Sequence, residues 1–393
     1  MNRTAIIGVG ISRCGHRRDD VTHPELVYEA VREALDMAGL WIDEVDCIVY
    51  GTMDPFDGIL APEKWDGEAM GVGRLKPMIK VTTGGTTGMS IALTAYTLAS
   101  SGLFDVVMAV SGQRVSENVE AQKVLNLAVD PFHDRPFGIG AIAAAAFQAS
   151  SYMHRLGDSR RVEEAMAMVS SKNRTVALRN PKAHLKRPLT VEEALRSPLL
   201  IWPIKYSDSC PSSDGSAAVI FASERAAKRI SDRRAWVLAA DTISDSYYWG
   251  SKDLSVWDSL AILARRVYKR AGITDPRRQI DTAELYDAFS IQEILEYEAV
   301  GFAEKYKGTE LLFEGLTDFH GDLPVNASGG VLSTNPIGAT GLIKTAEAAL
   351  QVMGAAGEHQ VPDAQTSIAH AWGGALQFHT LIVLSSEIGV KRP

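Results

Sequence analysis

Two stretches of this 393-residue chain run through the same series of local signals. In the first, Ala30-Val31-Arg32-Glu33-Ala34-Leu35 leads through Ala38-Gly39-Leu40 to Ile42-Asp43-Glu44-Val45-Asp46 and then to the apolar run Cys47 to Tyr50. In the second, Ala261-Ile262-Leu263-Ala264-Arg265-Arg266 leads through Ala271-Gly272-Ile273 to Ile280-Asp281-Thr282-Ala283-Glu284 and another strand-like run. A helical segment closed by glycine and followed by a strand, met twice, predicts two similar halves. Thr87 to Leu93 and Thr340 to Lys344 open a second pair of matching helices. The charged stretch Glu224 to Arg234 reads as a surface helix and turn between the halves, which sets the expected units at residues 1–230 and 231–393.

Further apolar runs at Val106 to Ser111, Ala217 to Phe221, Trp236 to Ala240 and Ser367 to Ala369 alternate with helical stretches. That alternation predicts an α/β chain whose sheet is covered by helices on both faces. Residues 117–203 form a longer insertion, punctuated by His133-Asp134-Arg135-Pro136, Asn180-Pro181-Lys182 and Lys186-Arg187-Pro188, and are expected to lie over the mouth of the site.

The balance of 40 basic against 48 acidic residues, a net charge of -8, argues against a nucleic-acid partner. The longest nearly unbroken apolar run, Ala141 to Phe147, is far below the roughly 20 residues of a membrane span. Met1 passes directly into the strand-like Thr4 to Gly8 without a leader pattern, so a cytoplasmic chain is expected. Cys14, Cys47 and Cys210 are widely separated and the nine histidines are scattered, so neither a disulfide framework nor a metal site is expected.

Glycine clusters stand where strands give way to helices, at Gly84-Gly85-Thr86-Thr87-Gly88 and at Gly338-Ala339-Thr340-Gly341. Neither has the spacing of a phosphate-binding loop or a dinucleotide fingerprint. Helix starts of this kind stabilise negative charge, but the local pattern favours tight helix packing.

The ordered set made by the Gly84 to Gly88 turn, Pro181 through Thr190, Ser209-Cys210-Pro211-Ser212-Ser213-Asp214-Gly215-Ser216-Ala217-Ala218, Tyr286-Asp287-Ala288-Phe289, and Val325-Asn326-Ala327-Ser328-Gly329-Gly330 through Gly341 resembles the thiolase superfamily, in its sterol-carrier-protein-type branch. The resemblance covers essentially the whole chain. It implies the α/β thiolase fold, with two similar halves stacked as five layers (αβαβα) around a central helix pair, an inserted loop domain at about 117–203, and a homodimer.

The departures from the family bear most on function. Where the family carries its nucleophilic cysteine, this chain has Gly85; the family's His-Asp-Ala-Phe reads Tyr286-Asp287-Ala288-Phe289, and its Gly-His-Pro reads Thr334-Asn335-Pro336. Ping-pong acyl transfer needs an activated nucleophile and a base, and these three changes remove both. Cys210 lies in a motif that reads as a structural turn, and Cys14 and Cys47 read as small core or loop residues.

Glycine at the nucleophile position together with tyrosine at the first histidine is similar to the thiolase-like aldolases that shorten steroid side chains. The similarity implies retro-aldol cleavage of a β-hydroxyacyl-CoA, of steroid or lipid side-chain type, with no covalent intermediate and with coenzyme A as part of the substrate. It marks Tyr286 as a proton relay, with Tyr248 of Ser246-Tyr247-Tyr248 as its partner, and Asn335 with backbone amides near Gly85 and Gly374 as donors to an enolate oxygen. Asp287 joins this set either as a participant or as a brace of the turn. Beside these stand plainer readings: Tyr286 as an aromatic filling the space of a histidine, Tyr247 and Tyr248 as loop aromatics, Asn335 as a turn residue, and His379 as a core histidine.

Lys182, Lys186 and Arg187 are expected to meet the nucleotide phosphate, and Phe132, Phe137 and Met153 to line the acyl pocket. An acyltransferase with altered catalytic residues and a non-catalytic thiolase-like subunit are the alternatives. Relatives of this branch often work with a small partner containing an OB-fold and a zinc ribbon, which makes such a partner an expectation here.

Overall fold

Period-two alternation along the apolar runs builds one nine-stranded sheet. The computed structural model describes residues 2–117, 120–138, 140–374 and 376–390. The strands are β1 (Thr4–Ile11), β2 (Cys47–Tyr50), β3 (Met78–Lys80) and β4 (Val106–Arg114), then a separate hairpin of β5 (Leu199–Ile201) and β6 (Ile204–Lys205), then β7 (Asp214–Ser223), β8 (Ala235–Ser244), β9 (Thr282–Glu284), β10 (Thr366–Gly373) and β11 (Phe378–Ser385).

Their order is β3-β2-β4-β7-β1-β8-β11-β10-β9. Outward from the β1–β8 seam, the two halves read β1-β7-β4-β2 and β8-β11-β10-β9, so the repeat in the sequence is a repeat of topology. In each half the outermost two of these strands pair in parallel and the others antiparallel. β3 extends the first half, parallel to β2. The seam itself is short, pairing Ala5 with Trp236 and Ile6 with Ala235.

Alternation along the strands decides the layers. Ala5, Ile7, Ile48, Tyr50, Met108 and Val110 face one core, which is closed by the outer helix His23–Ala38. Ile6, Val9, Cys47, Val49, Val107 and Ala109 face the other. There two central helices, Thr87–Ser101 and Ile337–Val352, touch each other and strands of both halves. The helix Asp258–Ala271 covers β8 and β11, so that each half of the continuous sheet lies between the central helix pair and an outer helix.

The repeated helices begin and end as their sequences require. Thr22 and Glu25 form a capping box on His23–Ala38, which stops at the left-handed Gly39 (φ 67°), and Asp258–Ala271 stops at the left-handed Gly272 (φ 79°). The helix Glu224–Ile230 then links the halves.

The central helices cross backbone to backbone. A Cβ on Gly88 would stand 2.4 Å from the amide nitrogen of Leu342, and one on Gly341 would stand 2.6 Å from that of Met89. Both glycines therefore serve close helix packing.

The chain between β4 and β7 is mainly helical, with helices Ala141–Leu156 and Ser159–Val176 packed on the helix Ser290–Ala299 of the second half. Among the described residues, no helix is long and apolar enough to cross a membrane.

Candidate active site

A cavity opens where both central helices begin. Gly84 and Gly85 precede the first helix, and Asn335 and Ile337 stand at the start of the second. The chain leaving β9 brings Tyr286, the end of β10 brings Trp372, Gly373 and Gly374, and the segment entering β7 brings Cys210. Ala121, Leu125, Ala141 and Ala144 of the insertion and Trp249 of the second half complete a mostly apolar wall.

At Gly85 there is no room for a side chain. A Cβ built there lies 2.8 Å from the carbonyl oxygen of Trp372 and 3.3 Å from Cα of Gly373, and one built on Gly373 lies 2.7 Å from the amide nitrogens of Gly85 and Thr86. The loop is further pinned by Thr87, whose Oγ1 donates to the Gly84 carbonyl at 2.7 Å and accepts the Thr83 amide at 2.9 Å. Gly374 turns away in the left-handed region at φ 58°, which β-branched or bulky residues resist.

Tyr286 is buried, and its hydroxyl makes no well-aligned hydrogen bond within the protein, with the Thr340 side chain close to it. Its ring stands edge-on to Trp372 at 5.8 Å, and the Trp372 indole donates to the Tyr286 carbonyl at 2.9 Å. Burial pushes the phenol well above its ordinary range, so it is held neutral.

Asn335 is oriented on three sides. Its amide nitrogen Nδ2 donates to the Cys210 sulfur at 3.1 Å, its Oδ1 accepts from Thr340 Oγ1 at 2.8 Å, and its backbone N–H donates to Ser213 Oγ at 3.0 Å. One of the two Nδ2 hydrogens thus remains for a ligand.

Cys210, whose motif reads as a structural turn in the sequence, borders the cavity. The segment that reads as a structural turn is one, since the Cys210 amide donates to Ala288 at 3.0 Å and Ser213 donates to the Asn335 carbonyl at 3.2 Å. The same stitching presents the thiol to the cavity. Its place in the Ser-Cys-Pro-Ser-Ser-Asp-Gly motif was the available signal. Burial pushes this thiol up to about 12, so it stays protonated and weakly nucleophilic.

Asp287 does not border the cavity. Its carboxylate accepts the backbone N–H groups of Val331 at 2.6 Å and Leu332 at 3.3 Å and the Asn173 amide at 2.8 Å, with the Lys344 ammonium at 3.8 Å. These bonds tie the turn that leads to Asn335 onto the insertion. Burial raises the Asp287 carboxyl from its usual range, against the pull of Lys344.

Other expected residues lie elsewhere. Tyr248 is 44% exposed, edge-on to His133, and its neighbour Trp249 lines the cavity instead. Lys182 and Lys186 border a separate cleft beside Leu350 and Gly357, beyond the far end of the second central helix. Lys182 pairs there with Glu33 at 2.8 Å and Lys186 donates to the Pro181 carbonyl at 2.8 Å, while Arg187 is exposed.

Phe132 and Phe137 are 82% and 79% exposed and Met153 is in the core, so none of the three lines the cavity. Met153 stands about three turns beyond Ala141 and Ala144 along the helix Ala141–Leu156, which carries it past the cavity into the core, while Phe132 and Phe137 lie on the exposed chain that precedes this helix.

Residues 242–386 match the family model described as thiolase C-terminal domain-like. An acetyl-CoA acetyltransferase of Methanothermobacter thermautotrophicus is 30% identical over 380 residues, which cover 95% of this chain and 97% of that protein. The 17-hydroxy-3-oxo-4-pregnene-20-carboxyl-CoA lyase of Mycobacterium tuberculosis is 28% identical over 346 residues, 84% of this chain and 86% of that one. Among solved structures, the Ltp2-ChsH2(DUF35) aldolase superposes with a TM-score of 0.83 at 24% identity, covering 98% of this chain and 97% of its own. With the paired halves, the glycine crossing of the central helices and the cavity at their starts, these similarities place the chain in the thiolase superfamily of enzymes, and 27% identity over 401 residues to sterol carrier protein 2 of Homo sapiens, 95% of this chain and 70% of that one, places it within the sterol-carrier-protein-type branch.

Proposed function

We propose that this protein is a carbon–carbon lyase that cleaves a β-hydroxyacyl-CoA by a retro-aldol step, with no acyl group carried on the protein. The observation that carries this reading is Gly85, where the backbone of Trp372 and Gly373 fills the space a nucleophilic side chain would need. The likeness to a steroid side-chain CoA lyase supports a bulky apolar acyl group, and the mostly apolar wall around Trp372, Phe289 and Ala144 suits one.

In this reading the β-hydroxyl proton passes to the Tyr286 oxygen while the phenolic proton passes to the carbon released as an enolate. The bond between the α and β carbons breaks, a ketone or aldehyde leaves, and a shortened acyl-CoA remains. A neutral phenol suits such a relay, because it gives a proton as it takes one and never needs to rest as phenolate. The remaining Nδ2 hydrogen of Asn335 and backbone amides at Gly85 and Gly374 donate to the enolate oxygen, each such donor being worth about 3 kcal/mol. Coenzyme A enters as part of the substrate. Asp287 acts by holding the 331–335 turn, and a homodimer working with a small OB-fold and zinc-ribbon partner is the expected assembly.

A panel of β-hydroxyacyl-CoA thioesters with steroid, aromatic and straight-chain acyl groups, given to the protein alone and co-expressed with such a partner, should yield a carbonyl product and a shortened thioester. No carbonyl release across the panel would refute the reading. A second reading, acyl transfer, is favoured by one observation, the Cys210 thiol in the cavity. It requires an acyl adduct on Cys210 during turnover, visible by mass spectrometry.

A further inference from the structure

Behind Tyr286 lies a chain of buried ionisable groups that the proposed reaction leaves unused. Glu296, on the helix Ser290–Ala299, accepts the Tyr286 backbone N–H at 3.2 Å through Oε1, and the same oxygen lies 2.6 Å from His370 Nδ1. His370 Nε2 lies 3.2 Å from His379 Nδ1, and the two rings, on β10 and β11, stack at 5.4 Å. All three residues are fully buried.

His379 borders a polar cavity of about 180 Å³ shared with Asp245, Lys252, Asp258 and Trp257. His379 Nε2 and the Trp257 indole nitrogen are both buried without a well-aligned hydrogen-bond partner in the protein, the Leu376 backbone lying near His379, and both residues border this one cavity. Such unpaired groups mark a place where an outside donor or acceptor completes the structure.

We propose that His379 and His370 form a proton relay that connects this cavity to the Glu296 carboxyl beneath Tyr286. The hydrogen bonds balance for a whole proton. With Glu296 ionised, His370 donates Nδ1–H to it, His379 donates Nδ1–H to His370 Nε2, and His379 Nε2 presents a lone pair to the cavity. A proton taken up at that Nε2 lets each ring pass on its Nδ1 proton. The end state has a protonated carboxyl and two neutral rings carrying their protons on Nε2. Neither ring is charged at the start or the end.

The surroundings favour this arrangement. Burial drives His370 down to about 3 and His379 well below its ordinary range, and it raises Glu296. The charged groups facing Glu296 are Glu293, Lys344 and Asp287, and those facing His379 are Lys252 and Asp245. The use of the relay in turnover rests on the reading of Tyr286 given above.

Infrared spectroscopy of the full chain tests the relay without reference to activity. The wild type should show a buried carboxylic-acid band that Glu296→Gln lacks, and the band should shift promptly on transfer to D2O. In His379→Phe the shift should slow by roughly tenfold or more, because exchange then waits for local opening. His379→Asn, which keeps a polar contact to His370 without passing a proton, should slow it as well and serves if the Phe variant does not fold. Exchange as fast in these variants as in the wild type, or a band that persists unchanged in Glu296→Gln, would overturn the proposal. An inactive protein with relay-dependent exchange would count against the lyase reading alone.

Discussion

Gly85 and Trp372 meet so closely that a single carbon added to the first would stand 2.8 Å from the carbonyl oxygen of the second. The end of β10 occupies the space in which a side chain at residue 85 would stand. Introducing a cysteine there therefore means moving backbone. Gly85→Ala and Gly85→Cys should each lose about 1–3 kcal/mol of stability, the usual cost of overpacking, read as a lowered Tm. Gly85→Cys should also gain no acyl-transfer activity with acetyl-CoA.

Tyr286 offers a clean separation of chemistry from packing. Its hydroxyl has no well-aligned partner in the protein, so Tyr286→Phe should leave Tm close to that of the wild type while turnover falls by roughly 100-fold or more. Undiminished turnover would identify the residue as a space-filling aromatic. Tyr248→Phe, on a half-exposed side chain outside the cavity, should stay within about twofold of wild type.

Asn335 and Cys210 touch, yet their loss should differ. Asn335→Ala removes an amide that borders the cavity and has one Nδ2 hydrogen beyond its bond to Cys210, and should lower kcat/KM by roughly 10²–10³. Cys210→Ala removes a protonated thiol and should keep most of the activity, with intact-mass spectra of the wild type free of an acyl adduct at every cysteine.

His23 supplies a pH dependence away from the site. Its Nδ1 lies 2.8 Å from Asp66 and its Nε2 3.5 Å from Asp57. Burial opposes the imidazolium, but these two carboxylates outweigh it and lift the group from 6.5 to about 10. A raised folded-state value means the stabilisation is fully present below 6.5 and is lost as pH rises through about 10. Denaturant unfolding followed from about pH 6 to 10 should show wild-type stability declining, with a flatter profile in His23→Gln.

Much of the architecture is legible in local sequence because its causes are local. Gly39 and Gly272 end equivalent helices because each must adopt a left-handed φ, and the alternation within Val106 to Ser111 fixes which side chains face each core. The glycines at 88 and 341 likewise announce a close crossing. Less legible are residues set on turns and loops. Cys210 reads as a turn residue because its motif is one, and only the path of that turn between Ala288 and Asn335 turns the thiol inward. Tyr248 and Trp249 are neighbours with similar side chains, and the fold sends the second to the cavity and leaves the first in solvent.

Neighbouring residues account for two matching halves, the glycines at their crossing and the glycine at residue 85, since periodicity, φ and side-chain identity are local properties. Tertiary structure alone decided that Trp372 closes over Gly85, that Lys182 and Lys186 serve a different cleft, and that Glu296, His370 and His379 line up behind Tyr286. Those are contacts between segments far apart in the chain, where a change of an ångström or of one helical step reverses which groups meet.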